Sequence, residues 1–411
     1  MNKNKYLHNI SRREFLAHIA AVGAAGASVM AHNGHAQEAV KPPVEPAGTV
    51  PNSAVMAEKF SGMQVHSERP LTASVPAESH HFSVTPNDRM FVRNNLLTPD
   101  IDASKHRLLV KGSVHKEVSF SVEELRKNFP VVRTQAMLEC AGSGRSGFVP
   151  RPSGTPWNAS GGMGCPVWNG VRLRDVLRAA GLQNNAAYVA GQGGDFGVIA
   201  TAAPVIRSIP MDKAMEPHTM LVFGMNDGPL PKIHGAPLRL LTPGWAGSAS
   251  TKWLHTLTVL DAPFKGTYMD SSYRIPRDAV KPGDRMPPDA LVTEGWPVKS
   301  MITYPAPNAV FQVGRLVLIE GRAWVGEGAI SRVQISLDEG VSWQNAQLNN
   351  AGDKYAWRTF SVELRPEKPG FVTVLARASD DRGNTQPIVS KWNPLGYFWN
   401  GVHRVGFSVE A

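Results

Sequence analysis

Cys140 ends the apolar run Val132 to Cys140 and opens the glycine loop Ala141-Gly142-Ser143-Gly144-Arg145. A thiol so placed is open to two chemistries, nucleophile or metal ligand, because a nearby guanidinium and loop backbone N–H groups both favour the thiolate. The third reading is an inert buried thiol, the ordinary fate of a lone cysteine. As a nucleophile Cys140 needs a base, and His234 or His255 could serve, yet no local signature of a cysteine protease accompanies them. Cys165, in Gly162-Met163-Gly164-Cys165-Pro166, reads as a structural loop residue or as the disulfide partner of Cys140. Three more segments set cations into apolar surroundings. Arg93 lies inside Phe91-Val92-Arg93-Asn94-Asn95, where a buried guanidinium needs an anionic partner or ligand. His234 and Arg239 share His234-Gly235-Ala236-Pro237-Leu238-Arg239, and Lys252 follows in Thr251-Lys252-Trp253.

Other chemistries lose their footing on inspection. Gly142-Ser143-Gly144-Arg145-Ser146-Gly147 matches the spacing of a dinucleotide loop, but Pro150, Pro152 and Pro156 occupy the stretch where the phosphate-binding helix has to begin. No nucleotide P-loop, serine-hydrolase elbow or His-Glu-x-x-His zinc motif occurs. No Cys-x-x-Cys-His occurs either, which excludes a covalently attached c-type haem.

The elements that must hold these groups change character along the chain. Ser11-Arg12-Arg13-Glu14-Phe15-Leu16, a weakly apolar stretch and Gly34-His35-Ala36 read as a twin-arginine export signal over residues 1–36, so the mature protein is expected in the periplasm. Residues 37–80, rich in Pro, Ala, Ser and Val without period, read as an extended arm. Residues 81–294 mix signals. Ser121-Val122-Glu123-Glu124 is a capping box, and Val171 to Ala180 has helical periodicity closed by Gly181, while Ala187 to Ala190 reads as a strand. Over residues 295–411 the helical signals stop. Leu316 to Val325, Ile330 to Leu337, Phe360 to Leu364 and Phe371 to Ala378 read as strands between turns, an all-β immunoglobulin-like sandwich. The fold class is thus α+β: an irregular mixed domain followed by an all-β sandwich.

Composition agrees. A chain of 411 residues, 42% apolar and 19% charged, is globular and large enough for two domains, and 38 glycines with 32 prolines argue against a helical bundle. Two cysteines cannot staple a disulfide scaffold. The net charge of +9 is dispersed, with no basic run interleaved with aromatics, so nucleic acid is not an expected partner and a small anion is. After the signal no stretch reaches the length of a membrane span.

Taken together these segments resemble the sulfite oxidase family of molybdopterin enzymes, from about residue 80 to the end. The resemblance is carried by Phe91-Val92-Arg93-Asn94, Glu139-Cys140-Ala141-Gly142 with Arg145, Ser208-Ile209-Pro210, Met225-Asn226 to Pro231, His234-Gly235 with Arg239, and Lys252-Trp253-Leu254. It implies that 81–294 binds molybdopterin and that 295–411 is a dimerisation domain, giving a homodimer. It implies the Cys140 thiolate as the protein ligand of molybdenum, Arg93 as the substrate-anion arginine, and Tyr273 as the active-site tyrosine. By the same resemblance Asn95, His234, Arg239, Lys252, Ser208 and Gly142 contact the cofactor. The activity it implies is oxidation of sulfite to sulfate, with sulfane sulfur on a carrier protein as the alternative substrate. With no haem domain on this chain, electrons would pass to an external periplasmic cytochrome c. The sequence departs from the family at Asn95, where many members have histidine, at Ser143, at Ala249-Ser250, and at Leu395 and Trp399, near which relatives place an arginine. Taken together, the departures imply an anion pocket less cationic than in a typical family member.

Overall fold

The computed structural model describes residues 48–199, 201–349 and 352–411; the export-signal segment lies outside them. The capping box forms as the sequence requires. Ser121 Oγ accepts from Glu124 N (3.1 Å) while Glu124 Oε2 accepts from Ser121 N (2.7 Å), starting the helix Val122–Asn128. Leu173–Ala180 is the second predicted helix, ending at Gly181 with φ 71°. Its buried stripe, Leu173, Val176, Leu177 and Ala180, faces a core built with Leu108, Val110, Leu125, Leu238, Leu254 and Leu257.

Two five-stranded sheets and several short pairs make up the catalytic domain. One sheet runs in the order Ile206–Pro210, Tyr188–Gly193, Leu254–Leu260, Leu108–Gly112, Val118–Phe120. Its central pair, Leu254–Leu260 with Leu108–Gly112, is parallel. The second sheet orders Gly228–Pro229, Met220–Met225, Val167–Arg172 and Val131–Gln135, with Arg239–Leu241 also on Met220–Met225. The predicted strand Val132 to Cys140 is two strands. Val131–Gln135 joins that sheet, whereas Leu138–Glu139 pairs separately with Met163–Gly164. The break frees the chain to leave the sheet and place Cys140 at the end of the second piece.

Residues 48–80 are not an extended arm. They form the helix Asn52–Ala57 and the strands Gln64–Glu68 and Leu71–Ser74, and the second strand pairs with Val92–Arg93. Strands of five, four and two residues show no alternation to read: Leu71 to Ser74 is buried throughout.

The C-terminal domain is the expected sandwich. Lys299–Tyr304, Val317–Trp324, Arg358–Leu364 and Gln347–Leu348 form one sheet; Val310–Gln312, His403–Glu410, Gly370–Asp380, Ile330–Ser336 and Gln344–Asn345 form the other. Alternation is clean where one face meets the core: Val405, Phe407 and Val409 point inward among Val317, Ile319, Val333 and Phe360. A shared apolar cluster joins the two domains, with Met137, Met163 and Cys165 from the first packed on Trp296, Trp324 and Trp357 of the second. Truncating one such tryptophan costs about 3–5 kcal/mol. The sandwich is therefore a wall of the catalytic domain rather than a tethered appendage. Among the described residues no helix is long and apolar enough to cross a membrane.

Candidate active site

Seven of the residues singled out in the sequence converge on one narrow recess, which Arg93, Asn95, Cys140, His234, Arg239, Lys252 and Tyr273 all line. Cys140 is carried there by its short strand and held by Cys140 N donating to Gly162 O (2.8 Å). Ser143 N then donates back to Cys140 O (2.9 Å), closing the loop. The loop turns through Gly144 at φ 85°, where a Cβ would also strike the Trp399 ring at 2.5 Å. Both cysteines are free, so the disulfide reading is excluded. Burial in the interdomain cluster pushes the Cys165 thiol up to about 12, which leaves it inert.

At the mouth, Arg93 Nη2 donates to Asn95 Oδ1 (2.7 Å) and Asn95 Nδ2 donates to Tyr273 Oη (3.0 Å). Tyr273 stacks on Tyr397, ring centroids 5.5 Å apart and 12° from parallel. This pair separates the recess from a larger groove between the domains, which has Tyr397 on its wall and neither Cys140 nor the cations. Deeper in, Arg239 Nη1 donates to His234 O (3.0 Å), and Lys252 Nζ donates to Asn94 Oδ1 and to Ile233 O (3.1 Å).

The electrostatics of this end are one-sided. Burial, then the charges of Lys59, Lys252 and Arg239, hold His234 well below its ordinary range. Burial and Arg239 likewise depress Lys252, with Asp195 opposing, and burial lowers Arg239 to about 9. Asp195, the acid lining the recess, is itself pushed up to about 6 by burial against the pull of Lys252. Buried cations with so little compensating charge call for an anion. Arg239 Nε and Ser248 Oγ, both on residues of the lining, are buried without a partner. Among the described residues no three His, Cys, Asp or Glu side chains converge on a point, and Cys140 is a soft donor on the recess wall. A soft sulfur donor at one end and an anion-seeking cluster at the other fit a metal carried on a phosphorylated pterin dithiolene.

Not every expected contact is made. Ser208 does not line the recess: its Oγ accepts from Phe264 N (3.0 Å) in the sheet edge. Gly142 is likewise absent from the wall and lies against the Arg145 guanidinium, which a Cβ would meet at 2.6 Å. Arg145 turns away too, donating from Nε to Leu395 O (3.1 Å) and from Nη1 to Thr155 O (2.9 Å). Three residues escaped the sequence reading. Asp195 sits in a glycine-rich turn. Arg207, 1% exposed, packs its guanidinium 5.0 Å from the Tyr273 ring and donates to Thr293 O (2.9 Å). Lys59 reaches His234 Nε2 at 2.6 Å. The basic residue next to Ser208-Ile209-Pro210 was the available signal for Arg207; nothing local marks the other two.

Comparison with known proteins agrees with this geometry. Residues 95–268 match the oxidoreductase molybdopterin binding domain and residues 291–410 the Mo-co oxidoreductase dimerisation domain. The chain is 32% identical to mitochondrial sulfite oxidase of Rattus norvegicus over 390 residues, spanning 91% of this chain and 70% of that protein. It is 33% identical to sulfite oxidase of Gallus gallus over 367 residues, 84% of this chain and 78% of the other. The crystal structure of the sulfane dehydrogenase SoxCD from Paracoccus pantotrophus superposes with a TM-score of 0.73 at 26% identity, covering 92% of this chain and 96% of that one. With the free cysteine, the cation cluster and the two-domain fold in place, the chain belongs to the sulfite oxidase family of molybdopterin oxidoreductases.

Proposed function

We propose that the chain is a sulfite dehydrogenase: sulfite and water give sulfate, two protons and two electrons, the electrons leaving to an external acceptor. The observation that carries this reading is the Arg93–Asn95–Tyr273 hydrogen-bonded chain in the same recess as Cys140. Bound molybdopterin would supply a metal able to take two electrons and deliver an oxygen atom, with Cys140 as protein ligand and His234, Arg239 and Lys252 around its anionic end. Arg93 offers charge-assisted N–H donors to an oxyanion, and Asn95 holds both the guanidinium and the Tyr273 hydroxyl in register. The stacked Tyr273–Tyr397 pair closes one side to water.

The twin-arginine segment supports export to the periplasm, with a cytochrome c there as the acceptor. A homodimer is supported by the dimerisation-domain match and by apolar side chains left exposed on the sandwich, Val310, Val341 and Phe371. A second reading, oxidation of sulfane sulfur on a carrier protein, draws on the likeness to SoxCD and on Arg145, whose engagement with backbone carbonyls leaves Arg93 as the arginine of the mouth. Sulfite-dependent reduction of ferricyanide by metal-replete protein tests the choice. Saturable turnover that Cys140→Ser abolishes supports the first reading; no turnover with free sulfite, but turnover with protein-bound sulfur, replaces it with the second.

A further inference from the structure

Lys59 belongs to the segment that precedes the molybdopterin domain, yet it is half-buried and its amine has three partners. It donates to Asn87 O (2.7 Å) and Met90 O (3.3 Å), and its third contact is His234 Nε2 at 2.6 Å. Burial lowers the Lys59 amine to about 7; in its ammonium form it has no lone pair, so Nε2 then accepts and the neutral imidazole carries its proton on Nδ1. His234 lines the recess and also leans on the Asn87 backbone that Lys59 engages, so lysine, imidazole and the 87–90 turn are held as one unit at the wall. The two carbonyls are on the approach to Phe91, Arg93 and Asn95, and the same segment pairs Thr72 with Arg93 in its strand.

We propose that Lys59 is a positioning residue for molybdopterin: it fixes His234 as the Nδ1–H tautomer and so makes cofactor retention depend on the docked 48–80 segment. This rests on the recess being the molybdopterin site and is indifferent to whether sulfite or sulfane sulfur is oxidised. The rival reading is a staple that only braces the 87–90 turn. The two differ in the cofactor-free protein. Lys59 faces the like charges of Arg239 and Lys252 through His234, with Glu58 and Asp88 the acids nearest to it. Removing its charge therefore relieves repulsion in the empty protein and weakens the grip only when the anionic cofactor is present.

The test measures molybdenum and pterin retained per chain during dialysis of the full-length protein, beside the melting temperature of the cofactor-free form. In Lys59→Met, cofactor loss is expected to accelerate roughly tenfold, the usual scale for removing the partner that orients a ligating group, while the cofactor-free melting temperature changes little, because relief of repulsion opposes the loss of the hydrogen bonds to Asn87 O and Met90 O. In a His234→Gln background, Lys59→Met is expected to add nothing, because the lysine acts through that ring. Wild-type retention, additive losses in the double variant, or a cofactor-free form that melts lower in proportion to the loss would each overturn the proposal. If Lys59→Met does not accumulate as folded protein, Lys59→Gln, whose amide can still donate to Nε2, is read the same way and is expected to retain cofactor to an intermediate degree.

Discussion

Buried charge is handled in opposite ways at the domain junction and in the recess, only a few residues apart in the chain. At the junction Glu139 and Glu216 each meet their counterparts. Glu139 takes Lys299 Nζ at 2.6 Å and Trp324 Nε1 at 2.7 Å, and Glu216 takes Lys213, Lys354 (2.9 Å) and Tyr355. In the recess Arg239 and Lys252 are set against Asp195, whose carboxyl burial pushes up to about 6. A paired buried charge is part of the fold, while an unpaired one marks a ligand. Glu139 and Cys140 are neighbours, so one strand end serves both purposes: the carboxylate anchors to the sandwich and the thiol is presented to the cavity.

The contrast is broken most directly at Lys299. Lys299→Met leaves Glu139 buried beside Trp324 without its cation, and removing one partner of such a pair costs about 3–5 kcal/mol. Denaturant unfolding of the cofactor-free protein should show that loss in the midpoint with an unchanged slope. A loss below about 1 kcal/mol would mean that water reaches the pair and that the junction is no better compensated than the recess.

Lys252→Met should then behave in the reverse sense. In the cofactor-free protein the change removes a cation facing Arg239 and forfeits hydrogen bonds to Asn94 and Ile233, worth about 1 kcal/mol each. The two effects oppose, and unfolding should move by no more than about 1 kcal/mol in either direction. Loaded protein should lose about 2 kcal/mol or more, because a charge-assisted contact to an anion is then at stake. Equal losses with and without cofactor would show that Lys252 is structural.

How far the sequence foretold this follows the same division. Periodic elements were legible: the capped helix after Ser121, the helix ended by Gly181, and strands such as Val317–Trp324 and Ile330–Ser336, because each buries one face and the alternation survives in the residue pattern. Cys140, Arg93, His234, Arg239, Lys252, Tyr273 and Asn95 were legible as site residues through the family resemblance, and they do share one recess. What escaped depends on distant partners. The strand Leu71–Ser74 is buried on both faces and has no period to read. Lys59 looks like any surface lysine until His234, 175 positions on, is placed beside it. Ser208 looked like a ligand from its motif, but its hydroxyl is used by Phe264 N, a contact no local pattern announces.

The smallest effect expected is a change with pH, and its sign follows from Glu216. Burial would raise this carboxyl, but hydrogen bonds from Lys213, Tyr355 and Lys354 outweigh it and hold the group at about 2, below its ordinary 4.5. A folded value under the unfolded one means the contribution is complete above about pH 4.5 and disappears as pH falls towards 2. With the side chain 16% exposed and Lys354 nearly half exposed, screening leaves this on the order of 1–2 kcal/mol. Two buried imidazoles, His80 and His403, are lowered by burial from 6.5 to about 4, and they too destabilise the fold in acid, but over the window from pH 6.5 down to 4. The windows can be told apart. Glu216→Gln should flatten the stability curve below about pH 4.5 and not flatten it above, where the loss of the carboxylate beside His218 Nδ1 (3.7 Å) lowers that imidazole further and slightly steepens the histidine slope. A curve that flattens across both windows would tie the junction carboxylate to the histidines, and the paired charges would then act as one titrating network rather than as separate clasps.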